Sequence, residues 1–278
     1  MRDLYVDDNI SGSQDIDEGL DFYLFIKTLM LQGSFELRKW HSSSDKLSDY
    51  IQEYEKLYFG NTEIHTNTEN MKETTKILGI TWNKKVDKLI FNIKDLICEA
   101  LRNDVVTKRE VLKTVSSIYD PLGTMSFAVI NLKLFFQEVC SLKCDWDAPL
   151  SSEFNTRWKQ CLTSLMGTEE ISQPRHYLEM FDVKNVTKIE LHGFSDASER
   201  AYAVVFLRFI LRDSEIRTQF VASKTKVVPL KKNGQKSTIP RLELMACLIL
   251  SKLVKVISNS LHGVYDVSRQ LFLDHQFR

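Results

Sequence analysis

Two adjacent carboxylates, Asp7 and Asp8, stand near the start of the chain, directly after Tyr5 and Val6. Aromatic and β-branched residues favour strands, so this segment predicts a strand that leads into a tight turn with both carboxylates at its tip. Carboxylates in this arrangement hold two Mg²⁺ ions about 3.5–4 Å apart in enzymes that transfer phosphoryl groups. Asp7 and Asp8 are therefore candidate Mg²⁺ ligands, although a tetrapeptide of this kind taken alone is more often an ordinary turn.

A second set of carboxylates lies far along the chain. Asp196 follows a predicted strand, Glu243 lies one turn into a predicted helix, and Asp274 ends the last predicted strand. Three strands, a helix and a parallel fourth strand can bring the three side chains to one edge of a sheet, which is the arrangement of a two-metal nuclease. The alternative is ordinary: Asp196 as a turn residue and Glu243 as a favourable charge in the first turn of a helix.

The elements that must position the first set follow it directly. Apolar residues at helical spacing predict a helix from Ile16 to Leu31, which Gly33 ends. Alternation predicts a strand at Phe35–Trp40, and residues 41–72 are predicted to form a helix and then a loop. Further strands are predicted at Lys76–Trp82 and around Leu89, Phe91 and Ile93.

The second half begins with helices. One is predicted from Thr107 to the Asp120–Gly123 break, another to about Leu142, and a third to about Leu165. Residues 167–187 resemble a linker. Strands are then predicted at 189–195, at 201–211 and around 220–223, followed by a helix from Pro240 to about Ser260 and a strand from Gln270.

Composition sets the broad class. The 278 residues include 37 Lys and Arg and 37 Asp and Glu, and 43% are hydrophobic, so the chain is globular and carries no net basic charge. Nucleic-acid binding then needs a local basic surface. The five scattered cysteines predict reduced thiols and an intracellular protein, either cytoplasmic or nuclear. We expect no membrane partner, because no apolar run approaches the length of a membrane span.

Several segments together resemble the Pol polyprotein of Pao/BEL-class LTR retrotransposons. Leu4–Asp8 looks like the reverse-transcriptase active-site hairpin, and Tyr119–Gly123 looks like a signature that leads into the connection region. Gly193–Ser198 with Ala201–Val205 is similar to the opening hairpin of a ribonuclease H domain. The remaining similar segments are Phe35–Trp40, Ile77–Trp82 and Ile239–Ala246.

The resemblance implies an α/β (α+β) fold in consecutive parts. These are the C-terminal part of a polymerase palm (1–94), a helical thumb and connection (95–166), a linker (167–187), and a partial ribonuclease H-like mixed sheet with one long helix (188–278). It implies RNA-directed DNA polymerase and ribonuclease H activity with Mg²⁺ as the cofactor. The implied partners are an RNA/DNA hybrid or primer–template and other Pol segments, and the oligomeric state stays open. The implied catalytic and metal-binding residues are Asp7, Asp8, Asp196, Glu243 and Asp274.

Departures from the family pattern shape the functional expectation. The first polymerase carboxylate would precede residue 1, and His275 stands after Asp274 where the family usually has Ser. No Asp-Thr-Gly or Asp-Ser-Gly sequence supports an aspartic protease. We therefore expect a Pol fragment that is catalytically incomplete alone. The alternative is a non-catalytic retroelement remnant that at most binds nucleic acid.

Basic and aromatic residues are candidates for nucleic-acid contacts. Lys39 and Trp40 are suited to a primer backbone or sugar face, and the alternative is a strand with Trp40 packed in the core. A lysine group near the nuclease-like half is suited to phosphates, and the alternative is a solvated loop. That group comprises Lys224, Lys226, Lys231 and Lys232.

Overall fold

A computed structural model describes residues 4–5, 8–13, 15–59, 73–177, 186–198, 200–212, 215–230, 237–261 and 267–273. The described helices are α1 (Ile16–Gln32), α2 (Asp45–Phe59), α3 (Lys94–Arg102), α4 (Lys108–Ser117), α5 (Ser126–Ser141), α6 (Ser152–Thr163) and α7 (Ile239–Leu261). The described strands are β1 (Leu4–Tyr5), β2 (Asp8–Asn9), β3 (Thr74–Ile77), β4 (Ile80–Asn83), β5 (Lys88–Asn92), β6 (Glu170–Pro174), β7 (Lys188–Ala197), β8 (Ala201–Arg212), β9 (Glu215–Val227) and β10 (Val267–Leu273).

The chain divides into two units. The first unit is Met1–Ile90 with Gln173–Arg175, and the second is Phe91–Ser172 with His176–Arg278. The mixture of helices and sheets confirms the predicted α/β fold class.

Local sequence signals set both ends of α1. The Asp15 side chain accepts a hydrogen bond from the backbone N–H of Glu18 at 2.8 Å, and Gly33 is the C-cap residue. Helix α1 packs on α2 around the buried Tyr23, whose hydroxyl donates to Glu55 Oε1 at 2.5 Å. The buried ammonium of Lys27 pairs with the same carboxylate. Burial, together with Glu55, raises the pKa of Tyr23.

The strand predicted at Phe35–Trp40 is wrong, because these residues form no regular element. Ser34 and Lys39 have φ values of 63° and 58°, and left-handed residues interrupt an extended chain. Trp40 instead meets Tyr23 edge to face, with 4.7 Å between the ring centroids. Phe35 is 66% exposed.

The single strand predicted at Lys76–Trp82 is also wrong. This segment forms part of a hairpin of β3 and β4, in which Ile77 pairs with Ile80 around a turn at Leu78 and Gly79. Both turn residues have positive φ, 48° and 83°, as two-residue hairpin turns of this class require. The sheet has the strand order β3-β4-β5-β6, and β6 lies in the segment that the sequence predicts to be a linker.

Helices α3 to α6 form the first part of the second unit. Helix α3 is not among the helices predicted above, whereas α4 begins as expected, with the Thr107 side chain accepting a hydrogen bond from Glu110 N at 3.2 Å. Trp158 of α6 is 1% exposed and packs against Phe135 of α5, with 5.1 Å between the ring centroids. Other buried core residues of these helices are Leu132, Val139 and Leu162.

The second sheet has the strand order β10-β7-β8-β9. Strands β7, β8 and β9 are antiparallel neighbours, and β10 runs parallel to β7, as the sequence predicts for a fourth strand after a helix. Helix α7 covers one face of this sheet. A stripe at every fourth position of α7 is buried, which is the pattern of a helix with one face against a core: Leu242, Ala246, Leu250, Val254 and Ser258.

By length and composition α7 is also able to span a membrane. The sequence expectation that no apolar run approaches this length is therefore wrong. The core helix of a protein with one buried face has the same composition, and α7 packs its buried stripe against Leu191 and Val221 of the sheet. This helix alone is weak evidence for a membrane contact.

Candidate carboxylate sites

Asp196 lies near the carboxyl end of β7, where this strand is held against the first turns of α7. Ser195 Oγ lies 3.7 Å from Cys247 Sγ, and Ala197 packs against Leu242 and Ala246. Asp196 itself is exposed, and its Oδ1 accepts a hydrogen bond from Ala197 N at 2.6 Å. Since successive strand residues point to opposite faces, Asp196 belongs to the sheet face away from α7.

Glu243 lies in the first turns of α7, directly after the fully buried Leu242, and is half-buried. It stands one helical turn before Cys247, so helix geometry places it on the side of α7 that meets the end of β7. Asp196 and Glu243 are therefore carried by the same end of the sheet–helix pair, and they reach that end from different faces of β7.

Asp274 lies outside the described residues. The residue before it, Leu273, pairs with Ser195, which in turn precedes Asp196. Among the described residues there is no group of three or more His, Cys, Asp or Glu side chains that could hold a metal ion. The predicted cluster of Asp196, Glu243 and Asp274 stays a prediction.

The Leu4–Asp8 segment forms a small hairpin. Strand β1 pairs antiparallel with β2, so that Tyr5 lies opposite Asp8 and Leu4 opposite Asn9. Tyr5 is 64% exposed, and Asp8 is exposed at the start of the returning strand. Asp7 lies outside the described residues, so its predicted metal-binding role also stays a prediction.

Strand β7 also carries a row of charged side chains that was not predicted from the sequence. Lys188 Nζ lies 2.5 Å from Glu190 Oε1, and His192 Nε2 lies 3.0 Å from Glu190 Oε2. The hydrogen bond from Lys188, and then that from His192, holds the pKa of the Glu190 carboxyl below its usual value. The period-two spacing of the three polar residues is the signal that could have revealed this row.

The candidate nucleic-acid residues differ in their surroundings. Lys39 and Lys224 are exposed, while Trp40 is half-buried against Tyr23, and its ring N–H is buried without a hydrogen-bond partner among the described residues. Lys226 is exposed near the end of β9. Lys231 and Lys232 lie outside the described residues.

Within the second unit, β7 to β10 form a mixed sheet with β10 parallel to β7, and one long helix, α7, covers one face of it. Residues 107–275 match the family described as the Pao retrotransposon-like RNaseH-like domain. This match spans more than half of the chain, and the chain belongs to that family. It begins at the N-cap residue of α4 and continues through the sheet, and it confirms the resemblance to Pao retrotransposons.

A search of curated proteins gives no match. Among solved structures, the chain is similar to the foamy viral protease-reverse transcriptase dRH in complex with ds DNA. The identity is 15% and the TM-score is 0.45, and the similarity covers 84% of this chain and 38% of that one.

Proposed function

We propose that this region of a retroelement Pol protein contributes to RNA-directed DNA synthesis coupled to cleavage of the RNA strand in a hybrid. The structural support for this proposal is stronger in the ribonuclease H-like part than in the polymerase part. One observation supports it most directly: the end of β7 that carries Asp196 is fixed against the first turns of α7, which carry Glu243. In this proposal the palm part is 1–94, the thumb and connection 95–166, and the ribonuclease H-like part 188–278.

The donor set fits Mg²⁺, a hard cation that prefers carboxylate oxygens and substrate phosphates. Asp196, Glu243 and Asp274 would hold it in the nuclease-like part, and Asp7 and Asp8 in the polymerase part. When bound, the metal would stabilise charge that develops on the transferred phosphoryl group.

The protein's own residues would do the positioning. Ser195 and Ala197, on either side of Asp196, are packed against α7, and this packing limits how far the Asp196 carboxylate can move. Glu243 follows a fully buried leucine, so its backbone is fixed by the core. Exposed Lys224 and Lys226 would attract the phosphates of a hybrid.

Replacement of Asp196 tests the proposal. Divalent metal that binds only the native state should raise the melting temperature of the full chain, by an amount that corresponds to about 2.7 kcal/mol at roughly 100 times Kd. Asp196→Asn should lose this Mg²⁺ or Mn²⁺ effect, together with any metal-dependent cleavage of an RNA/DNA hybrid. Asp49→Asn, at an exposed position of α2, is the control and should retain the metal effect.

A second function, binding nucleic acid without catalysis, is favoured by the different faces from which Asp196 and Glu243 reach the end of the sheet. A non-catalytic remnant should bind the hybrid equally well with and without metal, and Asp196→Asn should change neither its melting temperature nor its affinity. Binding that weakens with salt would then be the whole activity. Metal-dependent stabilisation that disappears in Asp196→Asn would exclude this alternative.

A further inference from the structure

Val228 directly follows β9 and contacts three different parts of the second unit. Its backbone N–H donates a hydrogen bond to Arg200 O at 2.9 Å. Its side chain packs against the buried Leu242 and Ala246 of α7. Its carbonyl oxygen accepts a hydrogen bond at 2.6 Å from Nε2 of Gln137, which lies in α5 and stands 91 positions earlier in the chain.

Two of these contacts lead to the residues that carry the candidate carboxylates. Arg200 lies in the turn between β7 and β8, and this turn follows Asp196 within a few residues. Leu242 directly precedes Glu243. A displacement of Val228 would therefore shift the turn after Asp196 and the core contact beside Glu243 together.

The backbone that carries Gln137 is itself held in place. The next residue, Glu138, accepts two hydrogen bonds from the Arg157 guanidinium of α6, at 2.8 Å and 2.6 Å. Val139, one residue further on, is fully buried. Helix α5 thus presents the Gln137 amide to Val228 from a packed backbone, and packing of this kind is what fixes the position of a side chain.

A second contact joins β9 to the loop before α5. The backbone N–H of Ser223 donates to Leu122 O at 2.9 Å, and Ser223 Oγ donates to Gly123 O at 2.6 Å. A Cβ atom on Gly123 would lie 2.0 Å from the carbonyl oxygen of Ser223, so this close approach requires glycine. The helical part, α3 to α6, therefore holds β9 and its end at two places, and the contact at Val228 is the one that continues to the turn after Asp196.

We propose that Gln137 is a positioning residue, through which α5 fixes the end of the sheet that carries Asp196 and Glu243. This inference rests on the proposed function, because it assigns a role at the same candidate metal site. Gln137 acts through Val228 and touches neither metal nor substrate. Such remote contacts matter because a misplacement of about 1 Å in a catalytic group can lower the reaction rate about 100-fold.

Gln137→Met in the full chain is the direct test. Methionine has nearly the same length, but it cannot donate a hydrogen bond to Val228 O. The backbone amides of Val228 and Arg200 should exchange hydrogen with solvent about two- to tenfold faster, the factor that corresponds to one neutral hydrogen bond, as measured by NMR. Calorimetric titration should show a rise of about tenfold in the Kd of the Mg²⁺ binding that Asp196→Asn abolishes, a loss typical of removing a group that holds metal ligands in place.

Asn155→Leu is the matched control. The Asn155 amide of α6 also donates to a backbone carbonyl, Asp104 O at 3.0 Å, but this hydrogen bond lies within the helical part. Asn155→Leu should keep the amide exchange rates of Val228 and Arg200 and the Kd for Mg²⁺ of the parent protein. If both variants change these rates and this Kd equally, Gln137 has only a general effect on stability, and the proposal is overturned.

The possible results separate this inference from the proposed function. If the parent protein binds Mg²⁺ and Gln137→Met binds it with the same Kd, only the inference is overturned. If the parent protein binds no Mg²⁺ that depends on Asp196, the proposed function fails. The exchange rates then decide the inference: faster exchange at Val228 and Arg200 in Gln137→Met alone supports it, and equal exchange overturns it.

A milder variant covers the case in which Gln137→Met does not fold. Gln137→Asn keeps the polar amide, but its side chain is one methylene shorter and cannot keep the 2.6 Å contact with Val228 O. It should show faster exchange at Val228 and weaker Mg²⁺ binding, in the same direction as Gln137→Met. Parent values for both measurements in Gln137→Asn would overturn the proposal.

Discussion

The two predicted carboxylate sites differ in how much of the fold supports them. Asp8 lies in a hairpin whose strands have two residues each, and its cross-strand neighbour Tyr5 is 64% exposed. Asp196 lies in a ten-residue strand that pairs with β8 on one side and β10 on the other. On one face, this strand is also covered by α7.

This difference shows what a short motif leaves open. In both places an aspartate follows aromatic or aliphatic strand residues. Strand β7 carries the buried residues Ile189 and Leu191, at 2% and 0% exposure, whereas Tyr5 is the residue of β1 whose burial the structure describes, and it is exposed. Catalytic groups act through fixed positions, and a position is fixed by packing around the backbone that carries it. Among the described residues, Asp196 is therefore the better supported candidate.

The largest expected effect is a loss of stability when the core beneath β7, the strand that carries Asp196, is truncated. Leu191→Ala removes a side chain that packs with Val221, Leu250 and Val254, and should lower the free energy of unfolding by about 2–5 kcal/mol. Tyr5→Ala changes an exposed residue of the small hairpin and should stay within about 0.5 kcal/mol of the parent protein. Urea denaturation of both variants measures the difference.

Equal effects of these two substitutions would remove the contrast between the sites. A small loss for Leu191→Ala would mean that β7 is not held by this cluster. A loss above 2 kcal/mol for Tyr5→Ala would mean that the first hairpin has support beyond the contacts of its two short strands.

Local signals account for the parts of the fold that the sequence predicts. The starts of α1 and α4 follow from the capping residues Asp15 and Thr107, and the long helix α7 follows from its apolar periodicity. The errors occur where backbone conformation is unusual. Positive φ at Ser34, Lys39 and Leu78 has no signal in these residue types, and it converts two predicted strands into an irregular segment and a hairpin.

The candidate site is predicted only in part for a related reason. A strand–helix–strand order predicts which end of the sheet carries Asp196 and Glu243, since it depends on connectivity alone. The face from which each carboxylate approaches depends on the register of β7 and on which of its faces meets α7. The pairing of Glu190 with Lys188 and His192 likewise depends on burial that only the assembled sheet provides.

Two aspartates, one in each unit, accept backbone hydrogen bonds at the start of a helix, and the stability that each contributes can be compared. Asp120 is half-buried and accepts two backbone hydrogen bonds, whereas Asp15 is exposed and caps α1 with one. Asp120→Ala should cost about 2–3 kcal/mol, because the backbone amides of Thr124 and Met125 lose their side-chain acceptor. Asp15→Ala should cost about 0.5–1 kcal/mol. Thermal melts at neutral pH compare them, and a larger loss for Asp15→Ala would contradict the ranking.

The smallest effect concerns pH. Lys188 and His192 hold the pKa of Glu190 below its usual value, so the native protein binds a proton at this site less readily than the unfolded chain does. The stability that Glu190 contributes is therefore present above the usual glutamate pKa and is lost as the pH falls through the lower, folded-state pKa. Glu190→Gln should have a lower melting temperature than the parent protein at neutral pH. The difference between the two melting temperatures should become smaller as the pH falls from the usual glutamate pKa through the folded-state pKa. Asp120 contributes a pH dependence of the opposite sign. Burial raises the pKa of its carboxyl group, so the native protein loses stability relative to the unfolded chain as the pH rises through the folded-state pKa of Asp120. Glu53→Gln, at an exposed position of α2, serves as the control. If the difference in melting temperature between Glu190→Gln and the parent protein stays constant from neutral to acidic pH, the charged row on β7 does not favour the ionised carboxylate.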